Sequence, residues 1–281
     1  MSTMSATHRP GGGRLGRFAG HPLVWMPTGL VGVILVSALT ATAPGPLPLV
    51  GAAAAVAVYW LVMRYLARRP TPEIARRRAV REALAGGAVG LGFMLVSVLL
   101  ITALGGYSFS WAGRGLFSVV VSAVIVMAGT AVTEELMFRG LALQAVERLG
   151  GSLVALAVTA GFFGVAHLFN PGASVWSSLA IAIEAGVLLG AAFLWRRNLW
   201  FVSGLHFAWN TVQQLLGIPT SGHAVEGLLT VRATGPAVLT GGSFGLEASI
   251  IPVVVGLALA IPMLILAHRR GGLVRRPRAT G

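Results

Sequence analysis

The 281 residues contain no cysteine, no lysine and no aspartate. Without cysteine the chain can form no disulfide, no thiolate metal site and no thiol nucleophile. Charge of any kind is sparse: 10% of residues are charged, against about 25% in a soluble domain. All 21 basic residues are arginine and all 8 acidic residues are glutamate. With 56% hydrophobic residues and a mean hydropathy of +0.82, there is too little polar surface to cover a water-soluble globule. The solvent must be lipid. The apolar–polar alternation of a membrane barrel strand is missing too, so helices are left as the way to satisfy the backbone in a bilayer.

What is present is a series of apolar runs, roughly 23–43, 47–67, 83–104, 116–147, 152–169, 174–195, 199–216 and 249–268. A span needs about 20 residues, and most of these qualify. The pattern predicts an all-α, polytopic transmembrane bundle of about eight helices. The two shortest runs, 152–169 and 199–216, each hold a histidine. The net charge of +13 does not point to nucleic acid, because the arginines stand in short clusters between apolar runs. Loops facing an anionic cytoplasmic leaflet have that pattern.

Placing the N-terminus in the cytoplasm puts 18 arginines inside: Arg9, Arg14, Arg17, the cluster Arg64 to Arg81, Arg148, Arg196, Arg197 and the tail Arg269 to Arg278. Only Arg114 and Arg232 fall outside, and Arg139 lies within a helix. The asymmetry predicts a multi-pass protein of the cell (plasma) membrane with both termini cytoplasmic. It divides the chain into a cytoplasmic N-terminal segment 1–22, one transmembrane domain 23–268 and a basic cytoplasmic tail 269–281. Residues 217–247 become an external loop and 70–82 a short cytoplasmic amphipathic helix, with Pro in its first turn and Arg on its wet face. Trp25, Trp60, Trp195 and Trp200 fit interfacial belts. The first run, followed by Ala41-Thr42-Ala43, also has the pattern of a signal peptide. Cleavage there would leave seven helices in the same orientation, so the arginine count does not separate the two readings.

Ionisable groups at bilayer depth are costly, by roughly 2.5 kcal/mol or more each, and are functional candidates by default. Three stretches hold nearly all of them: Thr133-Glu134-Glu135-Leu136-Met137-Phe138-Arg139, Phe163-Gly164-Val165-Ala166-His167 and Leu205-His206-Phe207-Ala208-Trp209-Asn210. Glu135 and Arg139 are i and i+4, with the carboxylate N-terminal to the base, the favourable order for a pair. Glu134 lies about 100° round the helix and is left without a partner there, as a general base must be. His206 and Asn210, and likewise Phe163 and His167, share the i, i+4 spacing. Depth agrees across the three helices. At about 1.5 Å per residue, Glu134 lies ~21 Å from Arg148, His167 ~22 Å from Ser152, and His206 ~14 Å and Asn210 ~20 Å from Arg197.

In this order, Glu134-Glu135-x-x-x-Arg139, Phe163-x-x-x-His167 and His206-x-x-x-Asn210 resemble the three-motif signature of the CPBP family. Its members are the type II CAAX prenyl endopeptidases and their bacterial relatives, also called the Abi family. The resemblance covers about 116–216 and includes Glu184-x-Gly186-x-x-x-Gly190. It implies an intramembrane endopeptidase acting on a membrane-associated peptide or protein. By analogy, Glu134 would activate the hydrolytic water with His167, His206 and Asn210 would form the oxyanion site, and Glu135 and Arg139 would orient and support them. Glu184 has no helical partner and reads equally as structural or site-lining.

Two chemistries stay open. There is no His-Glu-x-x-His, yet His167, His206 and a Glu could supply three zinc ligands with water as the fourth. A metal-free site would use Glu134 as base and His206 with Asn210 as oxyanion donors, and the reading leans that way. Other function classes fit less well. A transporter would show an inverted repeat and broken helices, and neither is visible. A non-catalytic bacteriocin-immunity scaffold need not keep the motif residues, and all of them are intact.

Overall fold

A computed structural model describes residues 18–275. Most of the N-terminal segment 1–22, with Arg9, Arg14 and Arg17, and the tail beyond Arg275 lie outside the described residues. Eight helical rods occupy the eight apolar runs. They are α1 (Pro22–Thr40), α2 (Leu47–Leu66), α3 (Ala79–Ala103), α4 (Leu116–Gly150), α5 (Ser152–His167), α6 (Val175–Arg196), α7 (Leu199–Leu216) and α8 (Ile250–Arg269). Six are long and apolar enough to cross a membrane. The other two are α5, which is shorter, and α7, which carries His206, Asn210, Gln213 and Gln214. The chain is a multi-pass, all-α membrane protein.

Helix ends follow local chemistry. Gly151, at φ +84°, breaks the chain between α4 and α5, an angle that costs glycine little. Ser174 and Ser177 cap α6 reciprocally, and Asn198 caps α7 by accepting from the Phe201 amide at 3.1 Å. Three rods widen into π turns, Val62–Leu66 at the end of α2, Leu136–Leu143 within α4 and Ala182–Val187 within α6. Such turns loosen the i→i−4 ladder and recur at functional sites.

The closest helix pairing joins α3 to α7. A Cβ on Gly86 would collide with the Phe201 carbonyl, one on Gly90 with the Leu205 carbonyl, and one on Gly204 with the Ala83 carbonyl. Only glycine at these three positions lets the two backbones touch, the small-residue packing expected in lipid. Gly164 and Gly186 do the same between α5 and α6, and Gly190 makes room there for the Leu156 side chain.

Arginine–glutamate pairs gather where helices begin and end. Arg196 binds Glu82 at 2.6 Å, Arg197 binds Glu147 at 2.6 Å and Arg69 binds Glu73 at 2.7 Å. The 70–82 segment differs from the expected amphipathic helix. It forms two single 3₁₀ turns, Pro72–Ile74 and Arg76–Arg78, and α3 begins only at Ala79. The turns form because Glu73 folds inward to bind Arg69 and the Tyr59 hydroxyl. Trp25 also departs from expectation. It is fully buried, with the Arg148 guanidinium 5.7 Å from its ring, rather than lying at the lipid interface.

Outside the helices, Tyr107–Trp111 (β1) and Leu229–Ala233 (β2) pair antiparallel, Tyr107 opposite Ala233 and Trp111 opposite Leu229. The segment read as an external loop is therefore partly ordered, with β2 and a helical turn at Ala237–Thr240. Tyr107 anchors it by donating to the Thr240 carbonyl. Burial first, and then the charge of Glu247, hold its phenol above the usual range, so it stays a donor.

Candidate active site

Five of the eight glutamates pair with arginine: Glu73, Glu82, Glu135, Glu147 and Glu226. Among the described residues Glu134, Glu184 and Glu247 have no arginine partner. Their surroundings give each a different character.

Glu134 and Glu135 end the regular part of α4, and the π turn that follows carries Arg139. Glu135 is fully buried. Its Oε1 accepts from Arg139 Nη1 at 3.0 Å and lies 2.8 Å from His206 Nδ1, so a single oxygen joins α4 to α7. Arg139, 1% exposed, donates its other nitrogen to the carbonyls of Ala185 (2.9 Å) and Gly186 (3.3 Å). Those carbonyls belong to the π turn of α6, whose loosened ladder makes them available. The rings of Phe163 and Phe138 stand 5.1 and 5.9 Å from the guanidinium.

Glu134 points the other way, into a cavity of about 860 Å³. The walls are mostly apolar, with Met26, Leu30 and Ile34 from α1 and Met137, Phe138 and Phe163 opposite. Glu134, His167, His206 and Asn210 all open onto it, whereas Glu135 and Arg139 are sealed behind the wall. His206 stands between the two glutamates, its Nε2 3.9 Å from Glu134 Oε2. With the proton on Nδ1 shared with Glu135, Nε2 faces the cavity. His167 stacks on Phe163, centroids 4.5 Å apart, and its Nδ1 lies 2.7 Å from the Phe163 carbonyl. Donation there leaves its Nε2 as an acceptor.

Glu184 does not reach the cavity. It is fully buried in the α6 π turn against α8, and neither carboxyl oxygen has a hydrogen-bond partner among the described residues. Among those residues, too, no group of three or more His or Glu side chains is placed to hold a metal ion.

Glu247 belongs to the site but carries no motif. Its Oε1 accepts from Trp209 Nε1 (3.1 Å) and Gln213 Nε2 (2.9 Å), and its Oε2 from the Ser221 amide and hydroxyl (both 2.7 Å). These four bonds clamp the segment after α7 over one end of the cavity, where Thr220, Ser221 and His223 form the rim. Asn170 adds a bond to the Ser221 carbonyl at 2.9 Å. The one signal in the sequence was that Glu247 stands alone in a glycine-rich stretch just before the last apolar run.

Residues 115–212 match the family described as type II CAAX prenyl endopeptidase Rce1-like. No curated protein and no solved structure matches the chain.

Proposed function

We propose, from the match of residues 115–212 to the type II CAAX prenyl endopeptidase Rce1-like family, that this chain hydrolyses a peptide bond of a membrane-associated peptide or protein with Glu134-activated water. The observation that carries the reading is the division of the six motif residues. Glu134, His167, His206 and Asn210 line one apolar cavity, and Glu135 with Arg139 braces them from behind.

In this reaction water sits between Glu134 and His167 Nε2. Glu134 takes a proton from it, and the oxygen forms a bond to the scissile carbonyl carbon. The carbonyl electrons move to oxygen, and Asn210 Nδ2–H and His206 Nε2–H donate to the oxyanion. His206 can donate there as imidazolium, with Glu135 at Nδ1 as its counter-ion. Collapse breaks the C–N bond, and Glu134 returns its proton to the leaving amine. Products are one carboxylate and one amine. A positioned base contributes roughly 10²–10⁴-fold, and each oxyanion donor roughly 10²–10³-fold. The apolar walls favour an apolar segment as substrate, entering from the bilayer, and the arginine asymmetry supports both termini lying in the cytoplasm.

Mass spectrometry of membrane peptides from cells carrying either the wild-type chain or Glu134→Gln tests the reading. Glu134→Gln should accumulate intact substrate and release no product while remaining folded and extractable. Identical peptide sets from the two strains would overturn the assignment.

A further inference from the structure

An apolar substrate filling an apolar cavity expels the water that its own hydrolysis consumes. Glu134 has a second side. A smaller cavity of about 160 Å³ lies between α1, α2 and α4 and shares Glu134, Thr130 and Met137 with the large one. Its character is different: four of its ten lining residues, Ser37, Thr40, Thr130 and Thr133, carry hydroxyls. Thr40 donates to the Val36 carbonyl at 2.8 Å and Thr133 to the Gly129 carbonyl at 2.9 Å. With those protons committed to the backbone, any further bond at these oxygens is one they accept. A water occupies about 30 Å³ of liquid, so the space holds several, with polar partners along its length.

The cavity is also directed. Along α4 it runs from Val126 to Met137, ~16 Å at 1.5 Å per residue. It reaches Ala41, which is exposed at the turn between α1 and α2. On the α2 side it is closed by Pro48, packed so tightly on Gly129 that a Cβ there would stand 3.0 Å from it. We propose that this side cavity is a water-supply route, entered at the α1–α2 turn and ending on Glu134, that stays open while substrate fills the large cavity. The proposal rests on Glu134 being the base that activates water.

The absence of cysteine allows a clean test. Ser37→Cys introduces a single thiol inside the route, Thr42→Cys one on the exposed turn, and Leu35→Cys one on the outer, lipid-side face of α1. The full chain in nanodiscs is treated with a charged, membrane-impermeant methanethiosulfonate. Cys at 37 and at 42 should be modified to completion, and Cys at 35 should not. Against a peptide identified as substrate, modification at 37 should lower kcat at least ~10-fold relative to the same variant untreated, with KM unchanged. Modification at 42 should leave both constants alone. An unreactive thiol at 37, or modification that leaves kcat intact or changes only KM, would overturn the route. Should Glu134→Gln retain turnover, the base assignment fails instead, and thiol reactivity at 37 still reports whether the cavity is wet.

Discussion

Replacing Glu135 by Gln removes the negative charge that Arg139 and His206 share, at nearly constant volume. Arg139 would then be a cation at 1% exposure with no carboxylate bonded to it, left with a neutral amide oxygen, the Ala185 and Gly186 carbonyls and two aromatic rings. Because Oε1 alone makes both contacts, the amide oxygen could keep the 3.0 Å bond to Arg139 and the 2.8 Å contact with His206 as neutral bonds, with the amide nitrogen where Oε2 has no partner among the described residues. Orphaning one member of a buried pair costs about 3–5 kcal/mol. The retained bond puts Glu135→Gln near the lower end, about 3 kcal/mol. Reversible unfolding of purified protein in mixed micelles, titrated with SDS, measures it. The decisive comparison is Glu135→Gln with Arg139→Gln. The double variant removes both charges and should be more stable than the sum of the single losses by at least about 1 kcal/mol. A Glu135→Gln protein within about 0.5 kcal/mol of wild type, or a double variant that is merely additive, would refute the idea that Glu135 is the counter-ion holding the brace together.

Glu184→Met replaces two buried oxygens without partners by an apolar chain of similar volume. It should raise stability by about 1–3 kcal/mol in the same titration, and a loss would mean that the carboxyl has a partner or a task. Glu247→Ala strands the four donors from Trp209, Gln213 and Ser221. Limited proteolysis should cut 220–245 markedly faster in that variant, and an unchanged rate would remove Glu247 from its clamping role.

The helical layout was legible because lipid leaves the backbone few options. All eight apolar runs hold a rod, and 199–216 coincides with α7 to the residue. The Glu135–Arg139 pair was legible for a local reason, its i, i+4 spacing, and it stands at 3.0 Å. What links it onward was not. His206 lies 71 residues away, and the Ala185 and Gly186 carbonyls are available only because α6 widens there, a tertiary effect without a sequence signature. Charge patterning misled at 70–82. The arginines suggested a wet helical face; Arg76, Arg77, Arg78 and Arg81 are exposed, but Glu73 turns inward and the segment forms 3₁₀ turns instead of one helix. Trp25 was misread for a related reason, since a tryptophan near a span end suits a headgroup layer unless an arginine reaches it first, as Arg148 does. The β1–β2 ribbon and the Glu247 clamp depend on bringing distant loops together, and neither leaves a periodic trace.

The glycine seam between α3 and α7 has a consequence for how the protein is made. With His206, Asn210, Gln213 and Gln214 among its 18 residues, α7 gains little from entering hydrocarbon by itself. Its groove on α3 is already in place, since that helix leaves the ribosome about a hundred residues earlier, 5–20 s at ordinary elongation rates. The backbone contact of Gly86 and Gly90 with Phe201 and Leu205 then serves as a docking guide for a nascent helix too polar to wait in lipid. During that interval α4 is already in the bilayer carrying Glu135 and Arg139. Because the two neutralise each other within one helix, this pair adds no net charge to α4 while it waits for α7 to bring His206 to the Glu135 oxygen.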